Sequence, residues 1–499
     1  MEKFLLINPG HSYYEKTHRT SFYGSIGLPV GLLYIGAIAE KKGCDIRIID
    51  ALVCEHSTLI KTKDYIYYGV PADKLRTIIK EYLPDIVGIS SQFATQEENV
   101  FGIARLVKEV SASTLVIVGG ANTSCRGRFF LQDRCIDIVV KGEAETTISN
   151  LIDMYRGKQR LEDIKGILYR HENEIVESAQ QPYIDSLDEI PLPAYHLVNM
   201  ERYLTLYKKG IYVRDRDVKR SVSVITSRGC PYQCIFCSIS QSMGKKWRAH
   251  SPEYVKQHLK LLSRTYQVKH IHFEDDNLLF EPERFIPVLE TLAKERITWD
   301  TPNGICADLA LNEIFLLQVK SSGCKSLTIG VESGDPDILK TVVKKSITLE
   351  EVVEFARRCK VVKLPLRAFF ILGFPGENLT TMRHTIDFAL LLLEEYNVEI
   401  INLIATPLYG TELYRVCEDN KYFTKKITPE ALSESIVPDG CCLIQTGQFS
   451  SQEVERLSKL FTAKVYRKLF MKGIYHPWAS LRRIGNTYSL LRTLKRLFS

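Results

Sequence analysis

The stretch SVSVITSRGCPYQCIFCS, residues 221–238, decides the fold of this chain. An apolar run leads into Cys230, Cys234 and Cys237, which are spaced as C-x3-C-x2-C. Three thiolates can hold three irons of a [4Fe-4S] cluster and leave the fourth iron open to bind and cleave a ligand. A structural zinc site needs a fourth ligand, and no C-x2-C or H-x3-H pair lies nearby to supply one. Three buried structural cysteines are the alternative, but such spacings usually mark metal, so the pattern predicts a strand, a loop and a cluster.

The composition is that of a globular protein in a reducing compartment. The 499-residue chain is 45% hydrophobic and 25% charged, and its length leaves room for about three domains. The first residues, MEKFLLINPG, have too short an apolar run for a signal peptide, and no run of about eighteen apolar residues predicts a membrane span. The 13 cysteines fit free thiols or metal ligands better than disulfides. We therefore expect a cytoplasmic protein.

Residues 1–155 alternate apolar strands with helices, a pattern that predicts a Rossmann-like domain. Strands are expected at 4–9, 45–50, 85–90 and 114–120, and another begins at 137. Continuous apolar strands between helices indicate a parallel sheet that is covered on both faces. Ligands of such sheets bind at the carboxyl ends of the strands. The small or polar residues expected there are Asn8, Ser90, Ser91, Gly119, Gly120 and Gly142.

The rest of the chain divides into a connector, a second βα array and a helical end. The pattern of residues 156–219 predicts a hairpin followed by an extended, proline-containing linker. Residues 220–428 contain six βα units, the number expected of a partial (β/α)6 barrel with its active site at the carboxyl end of the strands. Residues 429–499 are expected to be helical and basic, because nine Lys or Arg and no acidic residue occur from Lys464 onward.

Three further motifs stand where barrel strands are expected to end. They are FEDDN at 273–277, TIGVESG at 328–334 and LGFPGE at 372–377. Carboxylates at strand ends suit an ammonium group or hydroxyls of a ligand, and glycines let the backbone approach a flat ring closely. Each motif taken alone is more often an ordinary turn.

Together these features resemble the radical S-adenosylmethionine (SAM) superfamily, whose cluster motif is C-x3-C-x-aromatic-C. The resemblance implies a [4Fe-4S] cluster on Cys230, Cys234 and Cys237, with SAM bound to the open iron. The residues that it assigns to SAM are Phe236, Asp275, Asp276, Glu332, Ser333, Gly373 and Gly376.

The N-terminal domain resembles the cobalamin-binding domain of the B12-dependent radical SAM subgroup. The matching segments are NPG (8–10), LPVGLLYIGAIAEKKG (28–43), DIVGIS (85–90), IVGGANTS (117–124) and DIVVKGEAETT (137–147). The residues that the resemblance assigns to cobalamin are Asn8, Pro9, Leu32, Ser90, Ser91, Gly119, Gly120, Gly142 and Glu143. The D-x-H-x-x-G motif of mutase-type domains does not occur, so the lower axial ligand of cobalt is not that histidine. A Rossmann-like domain without a cofactor is the alternative.

The resemblance implies a B12-dependent methyltransferase that acts on an unactivated carbon of a small molecule. One SAM would methylate cobalamin, and a second would be cleaved at the cluster to a 5′-deoxyadenosyl radical that removes hydrogen from the substrate. No side chain need act as an acid or base in this scheme, and the catalytic residues stay unassigned. Arg228, Trp247 and Arg248, near the mouth of the barrel, are expected to position the substrate.

Three alternatives stay open at this point. A B12-dependent radical SAM cyclase or rearrangement enzyme without methyl transfer would share every motif and differ only in its product. A tRNA methylthiotransferase would carry three further N-terminal cluster cysteines and a C-terminal β-barrel, which the sequence does not indicate. A non-catalytic cobalamin or SAM sensor would have no use for an open iron.

The charge pattern gives little reason to expect a nucleic acid as partner. The net charge is +7, and the basic end of the chain accounts for more than this excess. The segment LLRTLKRLF (490–498) can lie on an anionic membrane surface or pack on the body with its basic face in solvent, and the second is favoured. We expect a small-molecule substrate, and a hydrophobic compound is compatible with the sequence. We also expect an electron donor such as flavodoxin or ferredoxin.

Overall fold

The fold is built on a mixed, mainly parallel sheet followed along the chain by a fully parallel one. The computed structural model describes residues 1–14, 26–61, 65–206, 220–306, 311–436 and 440–475. The first sheet belongs to the N-terminal domain and the second is an open barrel, and helices cover both. This arrangement confirms the predicted α/β class with a Rossmann-like domain and a partial barrel.

The N-terminal domain is built on a seven-stranded sheet of order β10-β9-β8-β7-β6-β1-β3. Its strands, together with those of a small second sheet, are β1 (Lys3–Asn8), β2 (His11–Tyr14), β3 (Asp45–Asp50), β4 (Thr58–Lys61), β5 (Tyr65–Gly69), β6 (Ile86–Ser90), β7 (Leu115–Gly119), β8 (Ile138–Val140), β9 (Ile167–His171) and β10 (Glu174–Glu177). The helices are α1 (Val30–Lys41), α2 (Ala72–Tyr82), α3 (Glu97–Val110), α4 (Ala121–Phe130) and α5 (Glu145–Tyr155). The five strands from β8 to β3 are parallel, and the apolar residues of β1 are buried on both faces of the sheet.

Two features of this domain differ from the sequence-based expectation. The hairpin of β9 and β10 does not stand apart as a connector, because β9 pairs antiparallel with β8 and extends the sheet. The strands β2, β5 and β4 form a separate antiparallel sheet that the sequence does not predict. In β4 and β5 most side chains are exposed or half-buried, so the apolar pattern that marks a core strand is weak.

The second unit is a six-stranded parallel sheet of order β11-β14-β15-β16-β17-β18. Its strands, with a short pair beside them, are β11 (Ser221–Val224), β12 (Ser227–Arg228), β13 (Arg248–Ala249), β14 (His270–Phe273), β15 (Thr298–Asp300), β16 (Cys324–Glu332), β17 (Leu366–Leu372) and β18 (Glu399–Ile404). The helices up to this point are α6 (Met200–Leu204), α7 (Ile239–Ser242), α8 (Pro252–Tyr266), α9 (Pro282–Glu295), α10 (Glu313–Ser321), α11 (Leu349–Val361) and α12 (Leu379–Tyr396). The strands follow one another in chain order, which is the arrangement of the predicted six-unit barrel.

Local sequence explains where the barrel helices begin. Ser251 caps α8 by accepting a hydrogen bond from the Tyr254 N–H, and Pro252 occupies the first turn, where its missing N–H is not needed. Thr348 and Glu351 form a capping box at the start of α11. These helices bury their apolar faces against the sheet and so form the outer layer of the barrel.

The C-terminal region contributes α13 (Glu412–Asp419), α14 (Pro429–Ser435) and α15 (Ser451–Tyr475). Helix α15 lies against the last barrel strand, where the Asn402 side chain donates to Ser458 Oγ at 2.8 Å. Among the described residues, no helix is both long and apolar enough to cross a membrane. The basic segment 490–498 lies outside the described residues.

Because the hairpin completes the N-terminal sheet, we predict that a fragment ending at residue 182 folds and that one ending at residue 155 does not. The shorter fragment loses the buried residues Ile164, Ile167 and Leu168 and leaves β8 as an unpaired edge. Size-exclusion chromatography and thermal unfolding would report a soluble, cooperatively folded 1–182 fragment and an aggregated 1–155 fragment. Equal behaviour of the two fragments would contradict this assignment of the hairpin.

Candidate active site

Cys230, Cys234 and Cys237 lie in the loop between β12 and α7, at the carboxyl end of the barrel. All three are free thiols, and Cys237 is exposed. The pKa of each thiol is raised to about 11, chiefly by desolvation of the sulfur, and a second cysteine of the set adds to each shift. Three free thiols within one short loop fit the predicted cluster, and the thiols must lose their protons when a cluster binds.

Asp275 fixes the start of the cluster loop through hydrogen bonds. Its carboxylate accepts hydrogen bonds from the Thr226 N–H at 3.0 Å, from Thr226 Oγ1 at 2.8 Å and from Ser227 Oγ at 2.5 Å. The sequence assigns Asp275 to SAM, but the structure engages its carboxylate within the protein, so we assign it to positioning the loop. Asp276 remains the better candidate for a ligand contact, since it is close enough to raise the pKa of both Cys230 and Cys237.

A buried lysine, which the sequence analysis missed, lies beside the cluster loop. Lys345 Nζ lies 3.1 Å from Glu332 Oε1 and donates to the Gly330 carbonyl. Burial alone would lower the pKa of Lys345, but the charges of Glu332 and Cys234 outweigh it and raise the pKa. The site therefore contains a fixed cation next to Cys234. In the sequence Lys344 and Lys345 are adjacent, and nothing local shows which of them is buried.

Glu332 and Ser333, which the sequence assigns to SAM, are both buried at the end of β16. Glu332 has a φ of +71°, a left-handed conformation that is uncommon outside glycine. Ser333 Oγ lies 3.2 Å from Thr385 Oγ1 on α12. Glu332 thus lies with Lys345 beside the cysteines, whereas Ser333 is engaged with a helix of the outer layer.

The LGFPGE motif forms a closed turn around Glu377. One carboxylate oxygen of Glu377 accepts from the N–H groups of Gly373 and Phe374, both at 2.8 Å. Gly373 and Gly376 have φ values of +95° and +102°, so glycine is required at both positions. The space beside each is already taken, because an added Cβ would lie 3.0 Å from Val454 at Gly373 and 2.8 Å from Val342 at Gly376. On the side where a Cβ would stand, each glycine packs on a valine, and the approach of SAM to this backbone stays a prediction.

Phe236, the aromatic residue of the cluster motif, packs on this turn. Its ring centroid lies 5.9 Å from that of Phe374. The contact joins the cluster loop to the end of β17, so the motifs at 227–238 and 372–377 meet as the sequence analysis expects. Glu377, the last residue of the second motif, was not among the predicted site residues. Its position at the end of that motif is the signal that would have identified it.

A buried group of four charges joins the two domains. Arg248 Nη1 donates to Glu143 Oε2 at 3.0 Å, and Arg248 Nη2 lies 2.9 Å from Glu143 Oε1 as an ion pair. Arg228 Nη2 donates to Glu145 Oε1 at 2.6 Å, and Arg228 Nη1 lies 3.4 Å from Glu143. All four side chains are more than nine-tenths buried. We call this group the charge quartet.

The charge quartet corrects three predicted roles. The sequence assigns Glu143 to cobalamin and assigns Arg228 and Arg248 to the substrate, but the structure pairs them with one another. Burial alone would raise the pKa of Glu145, but Arg228 outweighs it and lowers the pKa, so the pair is ionised. The third residue predicted to position substrate, Trp247, donates from Nε1 to the Asn277 carbonyl at 3.0 Å.

The residues assigned to cobalamin lie mainly at the carboxyl edge of the N-terminal sheet. The strand order reverses between β1 and β6, and ligands of open α/β sheets bind in the crevice at such a point. Asn8 ends β1 and donates to Asp50 Oδ1 at 3.0 Å, and Ser91 Oγ, after β6, accepts from the Asn122 side chain at 3.1 Å. Leu32 differs from the expectation, because it packs in the core beneath the crevice.

Several glycines lie along the backbone at this edge. Gly120 has a φ of +128°, and an added Cβ would lie 2.5 Å from the Ser91 carbonyl oxygen, so glycine is required for the turn itself. At Gly31 an added Cβ would meet no described atom nearer than 3.7 Å, and at Gly27 none nearer than Ser223 Oγ at 3.9 Å. The small residues Ser90, Gly119 and Gly142 and the buried Pro9 complete this edge. The distances at Gly31 and Gly27 are ordinary van der Waals contacts, so the assignment of cobalamin to the residues of this edge stays a prediction.

Comparison with known proteins agrees with this geometry. The chain matches the radical SAM superfamily model over residues 224–389 and the B12-binding domain model over residues 21–152. It is 31% identical, over 417 residues, to an uncharacterized methyltransferase of Pyrococcus horikoshii, and the match covers 83% of this chain and 82% of the relative. The chain belongs to the cobalamin-dependent radical SAM family.

A further relative and a solved structure are similar to this chain. The cytidylyl-2-hydroxyethylphosphonate methyltransferase of Streptomyces wedmorensis is 28% identical, with 83% of this chain and 82% of that protein covered. The structure of the cobalamin-dependent SAM radical enzyme OxsB, with aqua-cobalamin and SAM bound, has a TM-score of 0.71 at 18% identity. That match covers 99% of this chain and 70% of the OxsB chain. As a member of the family, the enzyme uses a [4Fe-4S] cluster, SAM and cobalamin.

The charge quartet leads to a stability prediction. We expect Glu145→Gln to lower the free energy of unfolding by about 3 kcal/mol, because it leaves the Arg228 charge buried with a weakened partner. Glu109→Gln is the matched control, since the Glu109–Arg76 pair is exposed and contributes about 1 kcal/mol or less. Denaturant unfolding of both variants measures the difference. Equal shifts of the two unfolding midpoints would show that the charge quartet adds no stability.

The buried carboxyl of Glu377 predicts a pH dependence of stability. Burial raises the pKa of Glu377 from 4.5 to about 7, against the lowering effect of its two backbone hydrogen bonds. The folded state therefore holds the proton more tightly, and this stabilisation is complete below pH 4.5 and is lost as the pH rises through 7. We expect Glu377→Gln, which keeps an acceptor for both N–H groups, to melt at a higher temperature than wild type at pH 8 and to match it near pH 4.5.

Thermal unfolding of the apoprotein at both pH values measures this effect. Glu290→Gln, at an exposed position of α9, is the control and should follow wild type throughout. A Glu377→Gln variant that melts below wild type at pH 8 would rule out the raised pKa.

Proposed function

We propose that the chain is a cobalamin-dependent methyltransferase that transfers a methyl group to an unactivated carbon of a small molecule. One observation carries the proposal: the three free thiols at the carboxyl end of the barrel lie in a loop that the N-terminal domain holds through the charge quartet. The relatives from Pyrococcus horikoshii and Streptomyces wedmorensis are both named methyltransferases, which favours methyl transfer over cyclisation or sensing.

The protein residues have separable tasks in this function. Cys230, Cys234 and Cys237 would hold the cluster, and Asp275 keeps their loop in place. Lys345 and Glu332 supply a fixed charge pair beside Cys234, suited to the amino and carboxylate groups of SAM. When bound, the cluster supplies the electron that cleaves SAM, and cobalamin carries the methyl group. The crevice between β1 and β6 would hold the corrin facing the barrel.

The partner assignments extend this proposal. The cluster needs an external electron, for which we propose a small acidic or iron–sulfur donor such as flavodoxin or ferredoxin. Contact of the basic segment 490–498 with a membrane surface is the weaker proposal, because it rests on sequence pattern alone.

The proposal predicts cofactor content and methyl transfer that depend on the three cysteines. Anaerobically purified protein from cells supplied with cobalamin should contain about four irons and one cobalt per chain. Alanine at Cys230 should abolish the cluster and the release of 5′-deoxyadenosine, because the cluster loses one of its three ligands. Cys359→Ala, at a buried position of α11, should keep both. Metal analysis, visible absorption and chromatography of the products give these values.

Transfer of the methyl group is followed with SAM that carries a triply deuterated methyl group. Labelled product from wild type, and none from the Cys230→Ala variant, is the expected result. A protein that contains iron but no corrinoid, even after reconstitution with cobalamin, would contradict the proposed methyl transfer. It would be a radical SAM enzyme without cobalamin.

A further inference from the structure

One wall of the barrel interior is polar. Along a barrel strand, successive side chains point alternately toward the outer helices and toward the barrel interior. On β14, Phe273 packs with Phe285 of α9 and with Trp299, so its neighbour His272 faces the interior. Ser223 pairs in register with His272, and Asp300 pairs with it from the other side. Because His272 and Asp300 stand at or next to the ends of their strands, they lie at the catalytic end of the barrel.

The opposite wall is apolar. Phe370 of β17 contacts Phe388 and Phe461 in the helical layer, so Phe369 faces the interior. On β18 the Asn402 side chain bonds to α15, so Leu403 faces inward as well. Phe369 and Leu403 are half-buried, as is Ser223 on the polar wall, which shows that the interior keeps accessible surface. A molecule inside the barrel would therefore contact polar side chains on one wall and apolar side chains on the other.

His272 is held in one orientation by Asp300. Its Nδ1 lies 2.8 Å from Asp300 Oδ1, and both side chains are more than nine-tenths buried. Burial alone would raise the pKa of Asp300, but hydrogen bonds from His270 and His272 outweigh it and lower the pKa, so the carboxylate is ionised. An ionised carboxylate fixes the hydrogen on Nδ1 and directs Nε2 away from Asp300.

The Nε2 atom of His272 makes no hydrogen bond within the described ranges of the chain. A buried nitrogen without a partner is unfavourable, and native structures rarely keep one without a reason. A ligand oxygen that bonds to Nε2 would remove this cost. The position next to the end of a barrel strand is where the substrate of a barrel enzyme binds.

We propose that His272, oriented by Asp300, is a substrate-binding residue that forms a hydrogen bond with an oxygen of a polar small molecule. The proposal rests on the proposed function and narrows its substrate to an oxygen-bearing compound whose carbon part packs on Phe369 and Leu403. It replaces the expectation that a hydrophobic compound is compatible with the site. With its hydrogen on Nδ1, His272 would accept from a hydroxyl group of such a compound at Nε2.

The substrate class is tested on two metabolite fractions from the source organism. Holoenzyme is incubated anaerobically with deuterated-methyl SAM and either a water-soluble extract or a chloroform-soluble lipid extract, and products are identified by mass spectrometry. We expect a labelled product from the water-soluble extract. Product from the lipid extract alone would overturn the inference and leave the proposed function standing. No labelled product from either extract, with both cofactors loaded, would refute the proposed function and the inference with it.

Variants at His272 test its role on the fraction that gives product. We expect His272→Ala to lower kcat/KM about 10- to 100-fold while iron content, cobalt content and substrate-free formation of 5′-deoxyadenosine stay at wild-type levels. His272→Gln, whose amide reaches toward the Nε2 position, should recover part of the loss. His196→Ala, at an exposed position, is the control. A His272→Ala variant with full cofactors and unchanged kcat/KM would contradict the proposal.

A divalent metal ion is the competing occupant. His270, His272 and Asp300 each offer a ligand atom, and these atoms lie within 4.8 Å of one another. Metal analysis of purified wild type and His272→Ala, with Zn²⁺ alone as the added probe, distinguishes a bound metal ion from a bound substrate. About one zinc per chain that is absent from His272→Ala would overturn substrate binding at this residue. No such metal, together with the loss of kcat/KM, supports it.

Discussion

The charge quartet is the interaction on which the arrangement of the two domains depends. Glu143 and Glu145 come from the N-terminal domain, and Arg228 and Arg248 flank the cluster loop of the barrel. Four charges are removed from water together, which is tolerable only because each meets an opposite charge at hydrogen-bonding distance. Since Arg228 is two residues from Cys230, the domain with the corrin crevice directly holds the loop that carries the cluster ligands.

On the barrel side of the site, three buried carboxyl groups are held by hydrogen bonds. Asp275 is held by the backbone and hydroxyls of the cluster loop, Glu332 by Lys345, and one oxygen of Glu377 by two backbone N–H groups. These hydrogen bonds fix loops at the carboxyl ends of several barrel strands. The cluster loop therefore lies among side chains that protein partners hold in place.

The elements that could be predicted are those whose signal is local. The parallel strands of both domains, the six-strand count and the cysteine loop were readable because apolar periodicity and ligand spacing lie within short windows. The hairpin at 167–177 was correctly read as a hairpin, but its attachment to β8 depends on residues almost thirty positions earlier. The weakly apolar strands β4 and β5 left no such signal.

The iron–sulfur cluster could be predicted from the sequence alone, because C-x3-C-x2-C places three thiolates within eight residues and needs no distant partner. Tertiary structure alone decided what the charged residues do. Glu143 meets Arg248 across 105 positions, Arg228 meets Glu145 across 83, and His272 meets Asp300 across 28. The physical reason is that a buried charge is defined by its partner, and the fold, not the local spacing of residues, brings such partners together.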